Sequence, residues 1–305
     1  MTDPTLQRVL HALAQGRTPG FNFPGYFLGV SFDEVAGRRS RVTMETGPHN
    51  VDAQGNTHVG AVALLADMAL AASLRSEIGV GARTATVSMT LNFLDARRNG
   101  MLTAEATLDG FVANGAERQG LTRVEVRAGG ELVCTGSAAF MVLGGENATA
   151  PHPLPRRSNA AEVRALAANE LDSAEAVIHR RARRALRSPT PFIEAFWGYS
   201  PRPTAAGASC TTPIGPHIGN RVGHAQGGVT FGLAAHTAAR ALPHSWSLIS
   251  ASAWYVGPGT GSRLRVRSSI AHRGMLTAVV QTRITNDEGR AVLFCTTSHA
   301  RRSGV

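Results

Sequence analysis

The chain repeats itself, and this constrains its fold more than any other feature of its 305 residues. A shift of 168 residues places the Gly-Pro-His sequence at 47–49 on the one at 215–217. Over residues 47–67 this shift gives 7 identities in 21 positions, several times the few per cent expected from average residue usage. Further on, at a shift of 161, Cys134 meets Cys295. The sequence therefore predicts two diverged copies of one domain of about 120 residues.

The two copies share one order of predicted elements. A turn and a Gly-rich loop precede an apolar helix, over Val59–Ile78 in the first copy and residues 227–242 in the second. A helix that is rich in alanine and leucine and apolar nearly all round should be buried. We predict extended chain before each helix, at residues 26–46 and 196–212. Four strands should follow each helix, at residues 84–93, 102–108, 120–127 and 131–142, and at residues 247–256, 264–271, 276–286 and 291–300.

One helix followed by antiparallel strands is an α+β layout, and the boundaries of its two copies can be drawn from the sequence. The first domain should occupy residues 1–145, with a short helix at residues 5–15, and the second residues 191–305. Residues 146–190 are predicted as a Pro-rich linker that leads into a helix over 160–187. Because this helix corresponds to the one at 5–15, an alternative assigns it to the second domain.

Composition removes several classes of function. The net charge is +10, and all 31 basic residues are arginine, which excludes Schiff-base lysine enzymes and phosphate-binding loops that require G-K-S/T. The arginines are scattered and accompany no nucleic-acid-binding motif, so we expect no nucleic-acid partner. The three cysteines have no metal-ligand spacing and fit a reducing compartment. With no signal-peptide pattern, and with a longest apolar run of only residues 61–72, we expect a cytoplasmic protein without a membrane partner.

The loop–helix junctions carry the residues that could perform chemistry. Residues 50–67 read N-V-D-A-Q-G-N-T-H-V-G-A-V-A-L-L-A-D, and a β-prone segment with Thr86 follows. In the second copy, residues 220–228 read N-R-V-G-H-A-Q-G-G. This pattern resembles the motif N-x(n)-G-x-x-H-G-G-x(6)-D, with Ser or Thr on the next strand, of hotdog-fold acyl-CoA thioesterases of the phenylacetate-pathway type. The resemblance covers both copies. It implies two tandem hotdog domains, each an antiparallel sheet around a central helix, paired as an intramolecular pseudo-dimer.

Each copy keeps a different half of that motif. The first copy has the acid, and the second has Ala235 in its place. A carboxylate in so apolar a helix is costly to bury without a partner, which favours a functional role for Asp67. The resemblance implies one composite site whose residues come from both copies: Asp67, Thr86, Asn220, Gln226 and Gly227.

The resemblance also implies a role for each of these residues. Asp67 would be the general base or the nucleophile, and the amide of Gly227 would polarise the thioester carbonyl. Asn220 or Gln226 would position the thioester or the water, and Thr86 would hold the water or Asp67. We expect no cofactor and no metal, with CoA present only as part of the substrate.

Two further expectations concern the other pseudo-site and the phosphates of CoA. The second pseudo-site would face Asn50, His58 and Val59 towards Ala235 and His236, and it should be degenerate. His236 lies one residue beyond the acid position, and a helical step of about 100° should aim it elsewhere. The phosphates of CoA are expected to contact the pair Arg97 and Arg98, because arginine suits phosphate recognition.

The predicted function is hydrolysis of an acyl- or aryl-CoA thioester. The alternative is a non-catalytic acyl-CoA-binding hotdog protein, a sensor or a scaffold, which the degenerate second copy favours. Hotdog hydratases carry a D-x-N-P-x-H motif and serine hydrolases a G-x-S-x-G elbow, and neither pattern occurs in this sequence. Because hotdog sheets associate further, we expect a homo-oligomer of the fused unit.

Overall fold

A computed structural model describes residues 3–18, 22–79, 82–114, 117–143, 154–156 and 163–302 of the chain. Its helices are α1 (Pro4–Gly16), α2 (Phe23–Leu28), α3 (Val59–Ile78), α4 (Ser173–Ala185), α5 (Phe192–Trp197) and α6 (Gly227–Ala239). Two single 3₁₀ turns, Ala168–Glu170 and Pro216–Ile218, complete the helical elements of these residues.

The strands form one antiparallel sheet in the order β1-β2-β4-β5-β6-β3-β9-β12-β11-β10-β8-β7. In the first copy they are β1 (Ser31–Ala36), β2 (Arg39–Glu45), β3 (Arg83–Phe93), β4 (Met101–Asn114), β5 (Glu117–Ala128) and β6 (Glu131–Leu143). In the second copy they are β7 (Arg202–Thr204), β8 (Gly207–Pro213), β9 (Trp246–Tyr255), β10 (Arg263–Arg273), β11 (Thr277–Asn286) and β12 (Ala291–Arg301).

The two halves join through β3 and β9. These strands pair antiparallel, with Met89 opposite Ala253 and Leu91 opposite Ala251, so that two six-stranded halves become one twelve-stranded sheet. In each half, the strand that follows the central helix lies at this seam, because β3 follows α3 and β9 follows α6. The halves are thus related as the subunits of a dimer, although a single chain supplies both.

The central helices α3 and α6 pack against each other behind this seam. Glycines allow their close approach, since a Cβ at Gly232 would lie 2.4 Å from the Cα of Gly60. Similarly, a Cβ at Gly228 would lie 2.5 Å from the Cα of Leu64. Among the described residues, α3 is the one helix long and apolar enough to span a membrane, yet 78% of that stretch is buried in the fold. Core packing therefore accounts for its apolar character.

Two predictions of extended chain are wrong at their first residues. Residues 26–28 belong to α2, and residues 196–197 belong to α5. Asn22 caps α2 by accepting a hydrogen bond from the N–H of Gly25, and a left-handed glycine at position 29 ends the helix. These are ordinary helix start and stop signals in a segment of only six residues.

The helix predicted over residues 160–187 is shorter than expected. Residues 160–162 lie outside the described residues, residues 164–167 are not helical, and α4 begins only at Ser173. Asp172 starts it through a capping box with Glu175, which fixes the helix start at this point. Helix α4 packs on both α1 and α5. Residues 146–153 and 157–162 of the predicted linker lie outside the described residues, and the domain boundaries stay predictions.

Candidate functional site

A cavity of about 570 Å³ opens between the two copies. One wall comes from α3 and β3 of the first copy, and the other from the loop before α6 and the end of β9 in the second. The cavity brings together four of the five residues predicted for the composite catalytic site around one carboxylate, and the fifth lines its wall. The five are Asp67, Thr86, Asn220, Gln226 and Gly227.

Asp67 is buried and receives hydrogen bonds on both carboxylate oxygens. Gln226 Nε2 donates to Oδ2 at 2.7 Å, and Thr86 Oγ1 donates to Oδ1 at 3.3 Å. Burial raises the pKa of Asp67, while the Gln226 and Thr86 side chains and the backbone of Gly228 partly oppose this rise. A carboxylate whose pKa is raised, and which two donors hold in place, is a stronger proton acceptor than an ordinary aspartate.

Gln226 connects the start of α6 to the acid of the other copy. It is the N-cap of α6, and its Oε1 accepts a hydrogen bond from the N–H of Val229 at 2.9 Å. Because the carbonyl oxygen of the amide is used for capping, the NH₂ group is turned towards Asp67. The Gln226 side chain thus both caps α6 and positions the Asp67 carboxylate.

Gly227 is the first residue of α6 and faces the same carboxylate. Amides in the first turn of a helix have no intrahelical acceptor, and the helix dipole adds partial positive charge there. The carbonyl of Gly227 accepts hydrogen bonds from Tyr255 Oη at 3.0 Å and Thr230 Oγ1 at 2.8 Å, which fixes this peptide. A Cβ here would lie 3.3 Å from Asp67 Oδ2, so glycine leaves room for a ligand beside the acid.

Asn220 lines the cavity, but its side chain holds its own loop. Its Oδ1 accepts hydrogen bonds from the N–H groups of Val222 and His224, each at 3.0 Å. In the first copy, Asp52 makes the same pattern with the N–H groups of Gln54 and Asn56. The structure therefore pairs Asn220 with Asp52, and the role that the contacts of Asn220 support is to shape the loop.

Arg97 and Arg98 do not line this cavity. Arg98 lies beside the loop of the first copy, where its Nη2 is 3.5 Å from Asp52 Oδ2 and its Nε donates to the carbonyl of Thr57. Arg97 is exposed on the same turn. The turn after β3 thus lies beside the other pseudo-site, and a contact of Arg97 or Arg98 with CoA stays a prediction. The arginines that do line the cavity are Arg75, Arg83 and Arg221.

The second pseudo-site contains a chain of three titratable groups, of which His58 is buried and His236 and Glu194 are partly exposed. His58 caps α3 through Nδ1, which accepts from the N–H of Gly60 at 3.0 Å, and its Nε2 lies 3.3 Å from His236 Nδ1. Glu194 on α5 lies 3.8 Å from His58 Nε2 and 3.7 Å from His236 Nε2. His236 is therefore not aimed elsewhere, as the sequence suggested, but at the counterpart of Gln226. Val59 occupies the position that corresponds to Gly227 in the other site. Its larger side chain narrows the space beside the three titratable groups.

Among the residues that the structure describes, His58, Glu194 and His236 form the one group whose donor atoms are close enough together to hold a metal ion. The ring tautomers favour hydrogen bonding instead. Since His58 Nδ1 accepts a hydrogen bond, Nε2 carries the proton in the neutral ring and donates to His236 Nδ1. His236 Nε2 then carries a proton that faces Glu194. A metal at His58 Nε2 would require this arrangement to be broken.

The Glu194 carboxyl should make stability depend on pH. Burial raises its pKa from 4.5 to about 7, so its neutral form stabilises the fold fully below pH 4.5. That contribution is lost as pH rises through about 7. We expect Glu194→Gln, which mimics the neutral acid, to be more stable than the parent by roughly 1–3 kcal/mol at pH 8 and about equal at pH 5. Thermal unfolding at both values measures this, with exposed Glu131→Gln as control. An equal shift at both values would contradict it.

Comparisons with known proteins agree with this architecture. Residues 20–142 match the sequence profile of a family described as a domain of unknown function, DUF4442. A search of curated protein sequences gives no significant match. A protein of unknown function with a hot dog fold from Alicyclobacillus acidocaldarius is similar in structure, with a TM-score of 0.54 and 11% identity. The similarity covers 91% of this chain and 97% of that one.

Two mycobacterial structures are similar over comparable lengths. The acyl-CoA thioesterase II TesB2 of Mycobacterium marinum has a TM-score of 0.50 and 16% identity, covering 91% of this chain and 96% of its own. The tesB protein of Mycobacterium avium subsp. paratuberculosis has a TM-score of 0.51 and 14% identity, covering 90% and 96%. At such identities the likeness shows the fold, and it confirms the predicted α+β class. The chain is therefore a tandem hotdog protein, with two hotdog units fused into one intramolecular pseudo-dimer.

Proposed function

We propose that this protein is a hydrolase that cleaves an acyl- or aryl-CoA thioester to the free acid and CoA, at one composite site between its two copies. The observation that carries the proposal is Asp67 of one copy facing the first residue of α6 in the other. Support also comes from a structural relative over nine-tenths of the chain that is named an acyl-CoA thioesterase.

The geometry suits hydrolysis because the two requirements of the reaction meet in one cavity. The thioester carbonyl oxygen would accept a hydrogen bond from the N–H of Gly227, which stabilises the charge that develops on it. Asp67 would take a proton from water, and the water oxygen would bond to the carbonyl carbon. When the C–S bond breaks, the thiolate of CoA would take that proton, leaving a free acid and a free thiol. Gln226 and Thr86 would keep Asp67 in position throughout.

Direct attack by Asp67 on the carbonyl is the second route. It would form an anhydride and release CoA, and water would then hydrolyse the anhydride. Single turnover in heavy-oxygen water distinguishes the two, since only the anhydride route can carry the label into Asp67. Gln226 and Thr86 would hold the Asp67 oxygens in place for either route.

The activity is tested by measuring thiol release from acyl-CoA substrates of increasing chain length and from aryl-CoA substrates. We expect turnover of at least one class by the full chain. Saturable binding of acyl-CoA with no thiol release from any substrate would contradict hydrolysis. That outcome would favour the alternative, a non-catalytic acyl-CoA-binding protein.

Association and location also belong to the proposal. We propose a homo-oligomer, supported by two large apolar side chains that neighbour each other on the outer face of the sheet. Trp254 is 48% exposed and lies opposite Phe294, which is 41% exposed. Light scattering on the purified chain measures the state directly. A cytoplasmic location is proposed from the composition, and fractionation of the source cells would test it.

A further inference from the structure

Arg75 lines the cavity wall, and the proposed hydrolysis assigns it no role. It lies on α3 eight residues after Asp67, which corresponds to about 12 Å along the helix axis. Met68 and Ala71 line the cavity between the two residues, so one continuous wall connects the carboxylate to the guanidinium. A ligand that reaches Asp67 can therefore extend to Arg75.

The guanidinium of Arg75 is incompletely satisfied. Its Nη2 donates to Thr84 Oγ1 at 3.1 Å, whereas its Nε is buried without a hydrogen-bond partner among the residues that the structure describes. Within those residues, no carboxylate lies within salt-bridge distance of it. Arg75 is only partly exposed, and a cation that is largely shielded from water without a carboxylate partner is costly, which leaves this guanidinium able to pair with an anionic ligand.

The surrounding charge is of the same sign. Arg221, exposed at the rim, and Arg83, at the start of β3, line the same end of the cavity. Burial and the charge of Arg221 together lower the pKa of Arg75 to about 10, which still leaves it a cation at neutral pH. Among the described residues that line the cavity, Asp67 is the one acidic side chain, and it lies at the other end of this wall. Converging cations of this kind bind oxyanions.

We propose that Arg75, assisted by Arg221, binds an anionic oxygen group that the substrate carries on the far side of the cavity from its thioester. This rests on the proposed function and names the substrate feature that the site selects. The same chemistry can come from a phosphate of CoA or from a carboxylate at the distal end of the acyl group, as in a dicarboxylic acyl chain. Both place negative oxygens on a flexible arm that leads away from the thioester.

Four thioesters distinguish a phosphate of CoA from a distal carboxylate as the anion that Arg75 binds. A medium-chain acyl-CoA and its ω-carboxy analogue carry the phosphates, and the N-acetylcysteamine thioesters of the same two acids do not. With Arg75→Gln we expect KM to rise about 10- to 100-fold for every thioester that carries the recognised anion. A phosphate contact affects both CoA thioesters, and a carboxylate contact affects both ω-carboxy thioesters. The uncharged N-acetylcysteamine thioester should be unaffected in either case.

Two outcomes overturn the proposal. Unchanged KM for all four thioesters means that Arg75 binds no substrate anion. An equal rise for all four, including the uncharged one, means that the substitution only distorts the cavity. The matched control is Arg123→Gln, at an exposed arginine on β5, which should leave KM unchanged. Arg75→Lys keeps the positive charge, so its KM should rise less than that of Arg75→Gln.

Calorimetry measures anion binding directly and does not require that the protein hydrolyse a thioester. CoA, pantetheine and a medium-chain dicarboxylic acid are titrated into the full chain and into Arg75→Gln. Binding of CoA or of the diacid that weakens about 10- to 100-fold in the variant supports the anion site, even if no thioester is turned over. If neither compound binds, or if the variant binds both equally well, the proposal is wrong.

Discussion

Asp67→Asn should lower thiol release by about 10²- to 10⁴-fold, because an amide can neither accept the proton of water nor attack the carbonyl. The fold should persist, since asparagine has the same shape and removes a buried charge. The comparison is the initial rate of thiol release with matched unfolding curves. His236→Gln, at the other pseudo-site, is the control and should retain turnover near the parent rate. Retained turnover in Asp67→Asn would contradict the assignment of the acid.

The same carboxylate should set the acidic limb of the pH profile. Hydrolysis requires ionised Asp67, and burial raises its pKa above that of an ordinary aspartate. The rate of the parent enzyme should therefore fall, as pH decreases, at a higher pH than an exposed aspartate would give. Thr86→Val removes one of the donors that oppose this rise, so it should move the limb to still higher pH.

Gly232→Val should be among the most destabilising single substitutions in the chain. A Cβ at this position would lie 2.4 Å from the Cα of Gly60, so α3 and α6 would have to separate. We expect a loss of about 3–5 kcal/mol and a fall in Tm of roughly 10 °C. Thermal unfolding measures it. Activity should fall as well, because Asp67 and Gly227 face each other only while the helices stay packed.

Gly16→Val is the matched control for this substitution. Gly16 ends α1, and a Cβ there would meet no atom within 4 Å. The change should therefore alter stability by no more than about 1 kcal/mol, in line with helix propensity alone. If the two valine variants unfold alike, close packing of the central helices does not contribute as described.

The repeat made much of this fold predictable. A long run of alanine and leucine identified α3 over Val59–Ile78, because a helix buried on all sides needs no polar face. Alternation and β-branched residues located the strands to within a few residues, except that β4 extends to Asn114. Helix α6 ends at Ala239, three residues early, because Arg240, Ala241 and Leu242 are all good helix formers and hide the turn that follows.

Short elements were missed for a physical reason. Helices α2 and α5 span six residues each, too few to show a helical period. Their signals are local ones: both helices end at a left-handed glycine, and α2 also begins with a side-chain cap. In α2 these are Asn22 and Gly29, and the positive φ of that glycine is required to end the helix. The start of α4 was likewise encoded by Asp172 and Glu175 rather than by periodicity.

Site residues were predictable where they follow the motif and not where they depend on distant packing. Asp67, Thr86, Gln226 and Gly227 meet as the resemblance implied. Their roles, and that of Asn220, stay predictions. Arg75 could have been found from its position eight residues after Asp67, but nothing local indicates that β3 leaves its Nε without a partner. Glu194 was missed because α5 brings it beside His58 and His236 from a segment with no recognisable motif.

In the proposed mechanism, one thioester site is shared between the two copies. A crystal structure with an unreactive analogue, in which a methylene replaces the sulfur of an acyl-CoA, tests it most directly. The analogue's carbonyl oxygen should lie within hydrogen-bond distance of the N–H of Gly227, with the Asp67 carboxylate beside its carbonyl carbon. A carbonyl bound instead beside His58 and His236, or away from both helix starts, would contradict it.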